Sequence, residues 1–218
     1  MTRLTFAARW IVMALVFAAI VFGCAGRIDL PGVWAVAGLL ATFGAVLSVV
    51  GDVGMLRERQ RPGQGSQDRI TQPVSLVVML SQWIIAGLDA RFGWSPIPLP
   101  LVMAGAAGYA LALVAVQWAI LTNRFYSSVV RVQTDREQKP VTAGPYAFVR
   151  HPGYAGSICC ALFGGLAVGS WLALIPTAIF IGLFIRRTLL EDRLLIAELP
   201  GYADYARQVR YRLLPGIL

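Results

Sequence analysis

Charge is scarce in this 218-residue sequence, and groups able to do metal or redox chemistry are scarcer. Charged residues make up 14%, with one histidine and three cysteines. No metal site is expected. Cys24, Cys159 and Cys160 are odd in number and two are adjacent in an apolar run, so they read as buried filler rather than a disulfide framework. Val21-Phe22-Gly23-Cys24 faintly suggests a lipoprotein cleavage box. Phe22 suits that poorly and another apolar run follows within a few residues, so an uncleaved first helix is expected. No stripe of alternating basic and aromatic residues accompanies the net charge of +8, which argues against nucleic acid. The apolar runs also nearly lack the buried Asp, Glu or Lys of a coupled carrier.

What is abundant is apolar: 57% of residues, with a mean hydropathy of +0.67. Six runs, about 9–26, 31–51, 73–89, 99–122, 153–169 and 171–186, approach the roughly 20 residues a bilayer-crossing helix needs. The fold class expected is all-α, one polytopic membrane domain over 1–218, with a four-span part over 1–122. With a cytoplasmic N-terminus, six crossings leave Arg27 and Arg91 outside and the other 17 of 19 Lys/Arg inside. Both termini are therefore expected in the cytoplasm, with the basic surface on anionic lipid.

The connections sharpen this picture. Asp52–Gln72 reads as a polar loop, and Arg57 through Gly65 within it as an inner-face anchor followed by a turn. Pro96, Pro98 and Pro100 stop helix on the outer side, and Gly105 and Gly108 give span four a small-residue packing face. Gly169-Ser170 is too tight for anything but a helical hairpin, with Pro176 expected to kink its second arm. After Arg186 the chain reads as amphipathic helix to Pro200-Gly201, and Tyr202–Arg212 as helix again, packed at the inner membrane face.

Chemistry concentrates at Gly144 to Gly156, where the only histidine, His151, stands beside Arg150 and Pro152. Proline suits a first helical position, and the free amides of that turn with Arg150 would hold an anion. Tyr154, three residues on from His151, adds an aromatic wall on the same side. A small amphoteric ligand with a carboxylate and a flat ring fits such a site; a headgroup anchor for a span is the plain alternative. A second cluster, Arg186, Arg187 and Glu191, leaves the membrane on the same side. Arg187 and Glu191, four apart, read at least as a surface ion pair. The two open ends of one hairpin must be neighbours, so the clusters converge.

The ordered set Gly144, Tyr146, Arg150-His151-Pro152, Tyr154, Gly156, Arg186 with Glu191, then Tyr202 and Tyr205 resembles the isoprenylcysteine carboxyl methyltransferase family and its bacterial and archaeal integral membrane relatives. The resemblance covers about 125–218 and more weakly the Arg59–Gly63 loop; where relatives often carry two glutamates, this chain has Glu191-Asp192. It implies a methyltransferase using S-adenosylmethionine, leaving S-adenosylhomocysteine, in a bacterial inner membrane. Cofactor contacts are implied for Gln138, Lys139, Pro140, Val141, Tyr146, Arg150, His151, Pro152, Gly153, Tyr154 and Glu191, and more weakly for Arg131. The Asn123–Val149 connection would close over the cofactor. Arg186 would stand beside the methyl acceptor, so Arg186 and Glu191 are the candidate catalytic pair. Residues 123–218 then comprise a cofactor-binding loop, a hairpin and C-terminal helices. The expected partners are membrane lipid and a lipophilic or lipid-modified acceptor.

A carboxylate acceptor is already ionised and needs no base, whereas an amine or thiol would need His151 or Glu191. A phospholipid, amine or small-thiol methyltransferase on the same scaffold stays open, as does a membrane scaffold or small transporter.

Overall fold

The structure, a computed structural model, describes residues 3–60 and 67–216. Among these residues it is all-helical apart from one isolated bridge, with eight α-helices: α1 (Arg3–Ala25), α2 (Pro31–Val50), α3 (Val53–Gln60), α4 (Thr71–Phe92), α5 (Leu99–Thr122), α6 (Pro152–Ala167), α7 (Leu174–Glu198) and α8 (Tyr202–Gln208). Helices α1, α2, α4 and α5 are long and apolar enough to cross a membrane. Large apolar side chains on their outer faces stay exposed, among them Leu15, Val77, Leu111 and Val114. In water such a belt would be prohibitive; against lipid it is the expected surface. The chain is an integral membrane protein.

The core lies where α1, α2, α4 and α5 meet the α6–α7 hairpin, around Phe17, Leu47, Trp83, Tyr109 and Ile120. Helices α5 and α6 approach closely because of their glycines, as the small-residue face predicts. A Cβ on Gly108 would come within 2.5 Å of the Phe163 ring, and one on Gly156 within 2.6 Å of Val116.

Helix α6 is 16 residues, about 24 Å at 1.5 Å per residue, short of a full crossing. Turns at the hairpin tip supply the rest. There Ile97 N donates to Gly169 O (2.9 Å), Trp171 N donates to Ser95 O (3.0 Å), and the Ser170 and Ser95 hydroxyls both bond the buried Asp89 carboxylate. At its other end the hairpin is tied to the start of α4 by Arg186 and Asp68. The hairpin thus runs the length of its neighbours.

Three expectations change. Val53–Gln60, read as loop, is helix α3, with Asp52 Oδ1 accepting from Met55 N at 2.8 Å as an N-terminal cap. Residues 61–66, the rest of the expected anchor and turn, lie outside the described residues. Pro176 does not kink α7. It falls in the first turn, where its missing N–H costs nothing. The tail is helical only to Gln208, because Arg150 captures the Val209 and Arg210 carbonyls at 2.8 and 2.9 Å and draws the chain into an extended path.

Candidate active site

Pro152 starts α6 with His151 as its cap, as the sequence pattern suggests. The backbone amide of the cap residue is engaged within the chain. His151 N donates to Arg212 O at 2.8 Å and Arg150 N to Tyr211 O at 2.9 Å, so the segment after α8 lies along the junction. The anion expected at this helix start is the protein's own. Arg150 forks onto Asp192 with two bonds of 2.8 Å, and its remaining nitrogen serves the tail carbonyls. Arg212 Nε reaches Asp192 Oδ2 at 2.7 Å, and Tyr202 OH and His151 Nε2 reach Oδ1 at 3.1 and 3.2 Å. Burial pushes the Asp192 carboxyl up, but the bonds from His151, Arg150 and Arg212 outweigh it and hold the group well below the usual carboxylate range. Asp192 is 1% exposed and binds hairpin, helix end and tail together.

One position earlier, Glu191 turns 100° around α7 and meets a different environment. One carboxylate oxygen accepts from the Tyr154 hydroxyl; the other has no hydrogen-bond partner among the described residues. The same hydroxyl accepts from Arg187 Nε at 2.8 Å, so Arg187, Tyr154 and Glu191 form a relay. The His151 and Tyr154 rings stack at 5.8 Å and 10°, as their three-residue spacing implies.

Helix α7 is unbroken from Leu174 to Glu198, so Arg186 stands about 140° away from Glu191 and Arg187 only about 40° away. The geometry follows. Arg186 is exposed and bonds Asp68 at 3.2 Å, outside the walls of the cleft, whereas Arg187 is buried at Tyr154 and donates to Ser128 O at 2.7 Å. Neither arginine lines the cleft itself, but Arg187, not Arg186, bonds Tyr154, the partner of Glu191. Sequence alone offered one hint, the four-residue spacing.

A polar cleft opens between this cluster and the 123–149 connection. It is lined by Arg131, Gln138, Lys139, Pro140, Val141, Tyr146, Arg150, His151, Gly153, Tyr154 and Glu191, with Pro152 buried just behind. Asn123, Tyr126, Leu195, Leu199, Tyr202 and Tyr205 also form its walls and were not expected as site residues. Tyr202 and Tyr205 were visible as a spaced pair. Tyr126 carried no signal.

Gly153 explains Tyr126. A Cβ there would lie 2.4 Å from the Tyr126 ring, so only glycine lets the ring seal against α6. Tyr146 sits on a 3-10 turn, Gly144–Ala147, pinned by Tyr205 OH donating to Tyr146 O at 2.7 Å. Burial pushes the Tyr146 phenol up, keeping it a protonated donor.

Arg131 lines the cleft but is occupied: it forks onto the buried Glu58 of α3 at 3.2 and 3.1 Å and also pairs with Asp135. Gln138 braces the wall, its side-chain oxygen accepting from Gln133 N at 2.7 Å. The cleft volume is about 70 Å³, below the roughly 300–1,000 Å³ of typical small-molecule pockets.

On the far side of Tyr126 lies an apolar chamber of about 250 Å³, enclosed by Trp10, Phe17, Leu40, Phe43, Trp83, Leu113 and Phe180 among others. A lateral groove of about 320 Å³, with walls from α4 and α7, runs from there past Tyr154. Tyr126 lines all three spaces.

Comparison with known proteins agrees with this architecture. The model of the isoprenylcysteine carboxyl methyltransferase (ICMT) family matches residues 103–197, which include the cleft's core motif and both acidic residues. No curated protein matches the chain. Among solved structures, the eukaryotic intramembrane Ras methyltransferase ICMT, determined without a monobody, is similar with a TM-score of 0.61. The identity is 19%, over 94% of this chain and 74% of that one. At that identity the likeness speaks to the fold.

Proposed function

We propose that this chain, whose residues 103–197 match the model of the isoprenylcysteine carboxyl methyltransferase family, is a membrane methyltransferase that uses S-adenosylmethionine. Its acceptor is lipophilic, and carboxyl O-methylation of an isoprenylcysteine-type substrate fits best. One observation carries this reading: a polar cleft and an apolar chamber, opposite in character, share Tyr126 as their common wall. A water-borne cofactor and a lipid-borne acceptor need separate entrances and one meeting point.

The residues suit the cofactor. Glu191 has an oxygen to spare for a hydroxyl or ammonium, Tyr146 and Tyr154 line the wall with aromatic rings, and Leu195 and Leu199 give the cleft an apolar side. When bound, S-adenosylmethionine supplies a methyl group on a sulfonium. The chain's own tasks are alignment and exclusion of water. Arg187 positions Tyr154, Tyr154 orients Glu191, and Asp192 holds Arg150 and His151 so that the cleft floor is rigid. No residue need remove a proton from a carboxylate acceptor. We assign six crossings with both termini cytoplasmic, which puts the cleft on the cytoplasmic side; a reporter fused after Gly93 that stayed inside would reject this.

The direct test offers solubilised protein labelled cofactor with prenylcysteine, phospholipid-amine and thiol acceptors. Labelling of the prenylcysteine carboxylate is expected. Exclusive labelling of the amine or thiol panel would move the protein to another acceptor class, and failure to bind cofactor at all would reject the enzyme reading.

A further inference from the structure

Arg59 has no role in the site as described so far, yet it stands where the cavities join. It lies near the end of α3, whose position is set by its neighbour: the buried Glu58 accepts from Arg131 and from Ser127 Oγ at 2.9 Å. The Arg59 guanidinium lies 5.0 Å from the centre of the Tyr126 ring and lines both the apolar chamber and the lateral groove.

Its surroundings are unbalanced. Arg131, Arg150, Arg186, Arg187 and Arg212 each have a carboxylate partner, but no ion pair reaches Arg59 among the described residues. The adjacent Glu58 is taken by Arg131, and another cation, Arg9, shares a small cavity with Arg59. Across the groove stands Arg187, 5.6 Å from the Tyr154 ring centre. A half-buried cation without a counter-ion, facing an apolar chamber, is costly unless a ligand brings the opposite charge. A planar guanidinium matches a carboxylate or phosphate with two parallel bonds, and a cation without an ion pair at the groove disfavours an amine.

We propose that Arg59 binds the anionic end of the lipophilic acceptor at Tyr126, with the apolar tail in the chamber behind it, and so selects anionic over neutral or cationic acceptors. Calling the ligand an acceptor rests on the methyltransferase reading; the anion binding does not.

The test is direct binding, not turnover. Wild type in nanodiscs of phosphatidylcholine is titrated with a prenylated cysteine bearing a free carboxylate and with its methyl ester. The acid should bind about 10-fold to 100-fold more tightly, the range expected for charge-assisted hydrogen bonds. Arg59→Ala should bring that ratio below about 3-fold and Arg59→Lys should keep part of it, while the thermal midpoint and S-adenosylmethionine affinity stay near wild type. An Arg59→Ala protein that still prefers the acid overturns the proposal. So does competition by phosphatidylglycerol in the nanodisc that removes the acid preference of wild type, which would assign Arg59 to bulk headgroups. Acid selectivity through Arg59 in a protein that binds no S-adenosylmethionine would leave this proposal standing and reject the methyltransferase.

Discussion

Glu191 and Asp192 are neighbours in sequence and opposites in environment. Asp192 is buried, and its two oxygens are filled by Arg150, His151, Tyr202 and Arg212. Glu191 lines the cleft with one oxygen committed to Tyr154 and one to spare. A fully satisfied carboxylate can only hold structure; one with unused capacity can bind something else. The same distinction separates Arg150, engaged by Asp192 and the tail carbonyls, from Arg59, which has no carboxylate partner among the described residues. Spare bonding capacity, rather than charge, is what the groups proposed to bind ligands have in common.

The comparison is broken most severely by Asp192→Asn. Removing one charge from a buried cluster leaves Arg150 uncompensated, at a cost of about 3–5 kcal/mol. We expect a large fall in the thermal midpoint together with lost cofactor binding; a variant as stable as wild type would show that the cluster is not what holds the tail. The pH response gives a second reading. The folded carboxyl titrates below its unfolded value, so its stabilisation is complete above the ordinary carboxylate range and is lost as the pH falls beneath it. Thermal melts of wild type should drop on acidification below about pH 4, and those of Asp192→Asn should drop less.

Glu191→Gln sharpens the contrast, because it keeps shape and loses charge. Stability should barely move while the cofactor dissociation constant rises by about 10-fold to 100-fold, the worth of a charge-assisted hydrogen bond. Calorimetry that finds unaltered affinity would take Glu191 out of the cofactor site.

A smaller effect distinguishes the adjacent arginines. Arg187→Ala should lower kcat by about 10-fold or more and weaken cofactor binding by less than Glu191→Gln does, since Tyr154 and, through it, Glu191 lose their positioning partner. Arg186→Ala, at a half-exposed pair with Asp68, should cost under 1 kcal/mol of stability and little activity. The reverse ranking in a steady-state assay would restore Arg186 to the acceptor's side.

Much of the site was legible because its spacing is local. His151 and Tyr154 share a helix face by being three apart, and the Gly169-Ser170 turn forces the two charged clusters together. What failed was whatever depends on a partner distant in sequence. Arg150 reads as a ligand-binding cation until Asp192, 42 residues away, is placed against it. Residues 209–212 read as helix until their carbonyls meet Arg150 and the amides beside it.

Hydrophobicity and helical period are properties of the chain alone, and they determined the apolar helices, the hairpin and the concentration of polar groups at its open end. Which of two adjacent acids faces the cleft, which of two adjacent arginines bonds Tyr154, and which cation has no ion pair among the described residues were decided by packing. A 100° turn per residue separates such neighbours, and only the surrounding helices determine which direction is buried among partners and which opens onto a cavity.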